Sequence, residues 1–285
     1  MKYVAAMAGL IGMSASLAAC ASSDNPGVAD SVINQQNQTL LENTAGQGFG
    51  PQSPRDLSSH NGENLRYTTF APQPEQMNLC NIHFHKNAEH KGGDFTRYAG
   101  NGDGHGHDTG FLYDGDLSSA QLSPVRAQIC PANNASLNPG DTIEVHYVYS
   151  SAQAAPGPTL GACLNNNTMN PELRVEGQVL VLVNDRSALD FTDLAAIGER
   201  NGFHQALNIP GDTGTPIQYA GSTTGPAYNE NGSPLLVSWS VRPNTAFVDI
   251  ETVGEWCNGN VFDESEAHGV RNLVTDPSLL SPIGG

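Results

Sequence analysis

Between Leu79 and Val253 the chain carries five runs rich in β-branched and aromatic residues, with Gly and Pro clusters in the stretches between them. The runs are Leu79–His85, Thr142–Tyr149, Glu172–Asn184, Leu235–Val241 and Thr245–Val253. Alternation of apolar and polar residues, or short continuous apolar runs such as "QVLVLVND", marks strands rather than helices. Helical periodicity is confined to short pieces such as Asp190–Asn201. The pattern predicts a mainly β fold: one large twisted, mostly antiparallel sheet with long loops and a few short helices. From about residue 60 to 275 no repeat or composition shift divides the chain, so residues 59–285 read as one domain.

The N-terminal region has a different composition. Lys2, an apolar run from Tyr3 to Met13 and Leu17-Ala18-Ala19-Cys20 form a segment too short to span a membrane and patterned as an export signal, residues 1–19. Its end matches a lipobox, which would leave Cys20 acylated and the chain tethered to a membrane surface by lipid alone. Ala21 lacks the acidic character that retains such proteins at the inner membrane, so the outer membrane or periplasm is expected. Residues 20–58, rich in Ser, Asn, Gln, Gly and Pro, read as a flexible spacer, with Val32, Ile33, Leu40 and Leu41 patterning one short helix. Without Cys20 the exported chain has Cys80, Cys130, Cys163 and Cys257, enough for two disulfides in any of three connectivities. A net charge of −17 disfavours nucleic acid as a partner.

The chemistry-bearing residues cluster in "NLCNIHFHKNAEHKGG", residues 78–93, which holds three of the nine histidines. On a strand His83 and His85 share a face, their Cα atoms about 7 Å apart. "TIEVHYVYS" puts Glu144 and His146 together on one face, with Val145 and Tyr147 on the other. Paired beside the first strand, His146 would complete a three-imidazole site with an open fourth position, the arrangement of catalytic rather than structural zinc. Glu144 can accept the ring N–H that His146 does not use for a metal. Taken singly, each motif also fits a solvent-facing polar strand.

In order, "IHFH", "AEH" and "EVHYV" resemble the motifs of alpha-type carbonic anhydrases. "YAGSTTGP", residues 219–226, and "PLLVSW", ending at Trp239, resemble that family's later segments, and the short "HFHKNAEH" spacing is similar to its delta class. The resemblance covers roughly residues 70 to 250. It implies an alpha-carbonic-anhydrase-like fold and zinc-dependent, reversible hydration of carbon dioxide to bicarbonate by a metal-bound hydroxide. It also implies that His83, His85 and His146 bind Zn2+, with Co2+ or Cd2+ as substitutes. Thr224, with Thr223 as its rival, would orient the nucleophile through Glu89, and Glu144 would support His146. Val148 and Val181 would line the carbon dioxide pocket, and His90 would be structural. The alternative is a non-catalytic zinc-binding surface lipoprotein, which would have no use for Glu144 or the threonine motif. A zinc hydrolase is disfavoured because no H-E-x-x-H is present. His60, His105 and His107 are candidates for exporting the proton, as are Tyr67 and Tyr228. "NGDGHGHDTG", residues 101–110, reads as a solvated turn rather than a calcium loop.

Overall fold

Alternation along the first run sets the frame of the fold. In β1 (Asn78–Lys86), Ile82 and Phe84 enter one hydrophobic core while His83 and His85 face the opposite side. The computed structural model describes residues 27–132, 136–168 and 170–284, so the signal region and Cys20 lie outside the described residues. The other strands are β2 (Arg97–Tyr98), β3 (Phe111–Leu112), β4 (Thr142–Ser150), β5 (Leu173–Val183), β6 (Ile197–Arg200), β7 (Phe203–Ala206), β8 (Ile217–Ser222), β9 (Leu236–Val241) and β10 (Ala246–Asp249).

Six strands form the main sheet in the order β1-β4-β5-β9-β8, with β10 alongside the far half of β5. β1/β4, β4/β5 and β8/β9 are antiparallel, while β5/β9 and β5/β10 are parallel, so the sheet is mixed. All nine residues of β4 are buried, which explains why its sequence is apolar on one face yet tolerates Glu144 and His146 on the other only as a hydrogen-bonded set. One core packs Ile143, Val145, Tyr147 and Tyr149 against α3 (Ile250–Cys257); the second gathers Val148, Val175, Val179, Tyr219 and Trp239 on the histidine side.

Two predicted elements change type. The run Thr245–Val253 stops being a strand at Asp249, whose side chain accepts from the Glu251 N–H and starts α3, burying Ile250, Val253 and Trp256. Asp190 likewise caps α2 (Phe191–Leu194), but that helix is a single turn, and the stretch predicted helical to Asn201 continues as the β6/β7 hairpin. Asn201 and Gly202, both at positive φ, make its two-residue turn. These reversals share a cause: short apolar periodicity was ambiguous, and local capping and turn chemistry decided it.

The stretch read as a flexible spacer is ordered and packed from residue 30 onward. α1 (Asp30–Thr44) seats Leu40 against Val274, Leu279 and Leu280, and Gln52, Ser53, Arg55 and Leu57 are all fully buried. The polar members survive burial through hydrogen bonds. Arg55 Nη1 donates to the Ser281 carbonyl at 2.5 Å and Nη2 to that of Asn61 at 3.0 Å. Composition measures polarity and is blind to whether the polar groups find partners. Of the three disulfide connectivities, the structure has Cys80–Cys163 and Cys130–Cys257.

Candidate metal centre

The β1/β4 register places His83 opposite His146 and His85 opposite Glu144, so the three histidines converge on one face of neighbouring strands. Their ligand atoms lie within 4.8 Å of one another. Each ring has one nitrogen committed to the protein. His83 Nδ1 is 2.6 Å from Asn81 Oδ1, His85 Nδ1 donates to the Gly269 carbonyl at 2.9 Å, and His146 Nε2 donates to Glu144 Oε1 at 2.9 Å. A carbonyl or carboxylate oxygen can only accept, so the proton sits on the committed nitrogen at His85 and His146, and on His83 Nδ1 with the Asn81 oxygen facing it.

The opposite nitrogens, His83 Nε2, His85 Nε2 and His146 Nδ1, therefore present lone pairs. His146 Nδ1 and His83 Nε2 face each other at 3.3 Å, and His85 Nε2 is buried without a hydrogen-bond partner. Lone pairs so placed repel unless a cation lies between them. Two nitrogens bound tetrahedrally at about 2.0–2.1 Å are about 3.3–3.4 Å apart, so the spacing suits zinc. Burial, with the neighbouring imidazoles adding to it, holds His83 well below its ordinary pKa, and burial brings His85 to about 4, so both stay neutral near neutral pH.

Glu144 anchors the set. Its Oε1 takes His146 Nε2–H and, at 2.6 Å, His90 Nδ1–H; its Oε2 takes the backbone N–H groups of Glu89 and His90 at 2.8 and 3.1 Å. Burial alone would raise its pKa, but His90 and the bonds from both imidazoles outweigh burial and hold the carboxyl well below the usual range.

The histidines open into a cavity of about 340 Å³. Its apolar wall comprises Val148, Leu160, Leu173, Val175, Val237 and Trp239, and Thr223 and Thr224 also face it. Val148 thus lines the cavity beside the three histidines. Val181 does not: it shares the face of Val175 but lies six residues along β5, about 20 Å away at strand rise. Val175 and Leu173, opposite Val148 and Ser150, take its place.

Glu89 is buried behind the three histidines. Its Oε1 accepts the Arg271 N–H at 2.9 Å and lies 3.7 Å from His85 Nδ1, and its Oε2 has no partner. No hydrogen bond joins it to Thr224 or Thr223 among the described residues; the Thr223 hydroxyl pairs with Ser233 at 2.5 Å. His60, His105 and His107 do not line the cavity, whereas His268, unremarked in the sequence, does. Its ring centroid is 5.3 Å from that of His83, and Glu264, 2.6 Å from its Nε2, raises its pKa. Asn81 and Gly269 were also missed. Asn81 carried a signal, standing two residues before His83 on the same strand face, whereas the Gly269 contribution is a backbone carbonyl that no side-chain pattern encodes.

A family model described as delta carbonic anhydrase matches residues 74–252, more than half of the chain. No curated protein matches the sequence. Among solved structures, the alpha-carbonic anhydrase of Thermovibrio ammonificans in complex with sulfanilamide is 13% identical, with 78% of this chain and 84% of that one covered, at a TM-score of 0.27. The alpha-carbonic anhydrase of Photobacterium profundum is 16% identical, with 78% and 86% covered, at 0.26. Overlaps at these scores are too weak to carry an argument.

Proposed function

Because the chain belongs to the delta carbonic anhydrase family, we propose that it catalyses reversible hydration of carbon dioxide at a zinc ion held by His83 Nε2, His85 Nε2 and His146 Nδ1. The observation that carries the proposal is the set of three converging ring nitrogens, that of His85 buried without a partner, whose protons are all drawn to the far side of their rings. A zinc site of three neutral imidazoles supplies a water acidic enough to yield hydroxide near neutral pH, a general property for which carbonic anhydrases are themselves the reference case. Imidazole ligands would also accept cobalt.

The protein's own residues supply position. Val148, Val175 and Trp239 offer carbon dioxide a wall without hydrogen-bonding groups directed at it, beside the ligand nitrogens. Glu89 Oε2 is a buried acceptor lacking a donor. The role proposed for Thr224 is to donate its hydroxyl proton there, which leaves its oxygen free to accept from the nucleophile and aim it at carbon. Glu144 touches no substrate; it is a positioning residue that keeps the His146 proton on Nε2.

The two disulfides suit an oxidising, exported setting. Lipid anchorage at Cys20 is proposed on the lipobox alone; a mature N-terminus of unmodified mass would refute it. Stopped-flow carbon dioxide hydration by the zinc-loaded chain, beside His146→Ala, tests the function. Turnover lost together with zinc in the variant supports it, and zinc held tightly by the wild type without turnover leaves a metal-binding protein instead.

A further inference from the structure

β1 departs from alternation at one residue. Leu79 pairs with Tyr149 and Asn81 with Val148, which leaves Cys80 as the extra residue of a bulge. By alternation Cys80 would follow Ile82 and Phe84 into the core away from the histidines. The bulge turns it instead into the core that holds Val148, Val175 and Trp239, where it bonds to Cys163. The Cys130–Cys257 link lies in the other core.

Cys80 fastens both ends of the segment 157–163. Its carbonyl accepts the Gly157 N–H at 3.0 Å, and its sulfur holds Cys163, whose own carbonyl accepts from Ser150 Oγ at 2.6 Å. Between these ties Thr159 and Leu160 stand at the cavity wall. Thr159 has φ 57° and ψ 172°, a backbone region that suits glycine and strains a β-branched residue, so its surroundings must hold it there. The first end of the segment also reaches the metal site. The Gly157 carbonyl accepts from Asn81 Nδ2 at 3.1 Å, which sets the direction of that amide and leaves Asn81 Oδ1 to face His83 Nδ1 at 2.6 Å.

We propose that the Cys80–Cys163 disulfide is a positioning link of the metal centre: it holds the segment 157–163 so that Gly157 keeps the Asn81 amide turned toward His83. A disulfide that acted only by constraining the unfolded chain would leave zinc release from the folded protein unchanged. The inference rests on the three-histidine zinc site proposed above but not on turnover. Zinc held without carbon dioxide hydration would refute the function and leave the inference standing, whereas a wild-type chain that takes up no zinc would refute both.

The test follows zinc dissociation from the full zinc-loaded chain into excess chelator. It compares Cys80→Ala with Cys163→Ala, Asn81→Ala alone, all three together, and Cys130→Ala with Cys257→Ala as a control. Groups behind metal-bound histidines alter metal affinity by about 10–100-fold, so Asn81→Ala should speed release roughly tenfold, at the low end of that range. Removing the Cys80–Cys163 link should speed it about threefold or more, and adding Asn81→Ala should take release no higher than Asn81→Ala alone, because the link acts through that amide. The control should release zinc at the wild-type rate, although its link spans 127 residues against 83. Wild-type release without the Cys80–Cys163 link overturns the inference. So does equal acceleration in the control, which is what general loosening of the fold predicts, and so do link and amide effects that multiply.

If the chain without Cys80 and Cys163 does not fold, the folded wild type is treated with a water-soluble phosphine. The S–S bond breaks, its sulfurs take two electrons from phosphorus and two protons from water, and the water oxygen ends on the phosphine oxide. Mass spectrometry of alkylated samples then follows each bond. Zinc release that tracks cleavage of Cys80–Cys163 supports the inference, and release that tracks only cleavage of Cys130–Cys257 overturns it.

Discussion

Replacing Glu144 with Gln alters the hydrogen bonding around the metal site with almost no change of shape. The carboxylate accepts four N–H groups, two on each oxygen, and all are buried. A glutamine keeps one oxygen, so two donors must face its NH2. Each buried N–H left without an acceptor costs about 1–3 kcal/mol, which gives the metal-free fold a loss of about 2–6 kcal/mol. The side chain can limit that loss by turning its oxygen to the Glu89 and His90 backbone. Its NH2 then confronts His146 Nε2, and His146 can respond only by moving its proton to Nδ1, the nitrogen that faces His83. Zinc affinity should therefore fall about 10–100-fold, or about 1.4–2.7 kcal/mol. Chelator competition measures the first effect and thermal unfolding of the metal-free chain the second. A variant that binds zinc within twofold of wild type and melts at the wild-type temperature would refute the assignment of protons at this site.

Three further outcomes follow from the same geometry. In the metal-free protein, burial depresses the His85 pKa to about 4 and that of His83 well below normal; the unfolded chain then binds more protons below pH 6.5, so denaturant stability should be fullest above that pH and fall toward pH 4, with a slope of about 1.4 kcal/mol per pH unit for each such histidine. A flat profile would contradict the burial argument. Val148→Tyr fills the cavity beside the ligands and should reduce carbon dioxide hydration on the order of 100-fold, as misplacing a reactant by about 1 Å can, while bound zinc measured by mass spectrometry is unchanged; undiminished hydration would place the substrate elsewhere. Replacing Cys130 and Cys257 with Ala opens a link spanning 127 residues and should cost the chain about 2–5 kcal/mol in chemical denaturation, and an unchanged midpoint would show the link contributes nothing.

The sequence made the histidine cluster legible because strand alternation is a strict rule: His83, His85 and His146 needed only the right register to meet, and the β1/β4 pairing supplies it. Glu144 was legible for a related reason, since a carboxylate inside a fully buried strand requires donors. Distance along a strand was not legible, so Val181 was placed on the correct face but three residue pairs from the cavity. Features at the ends of the chain were hidden for two different reasons. Gly269 acts through its carbonyl, which every residue possesses, and Ser53 lies in a polar stretch whose burial depends on partners brought from β8 and the C-terminal segment. The Thr224 role came from motif order alone, and the structure places the residue at the cavity with no hydrogen bond to Glu89.

The most direct test of the central claim is a titration of the metal-free chain with zinc, reading carbon dioxide hydration by stopped flow at each step. The account predicts a rate that rises linearly and saturates at one zinc per chain, with no rise in the His83→Ala, His85→Ala or His146→Ala variants. Full occupancy by one zinc with no hydration above the buffer rate would contradict it.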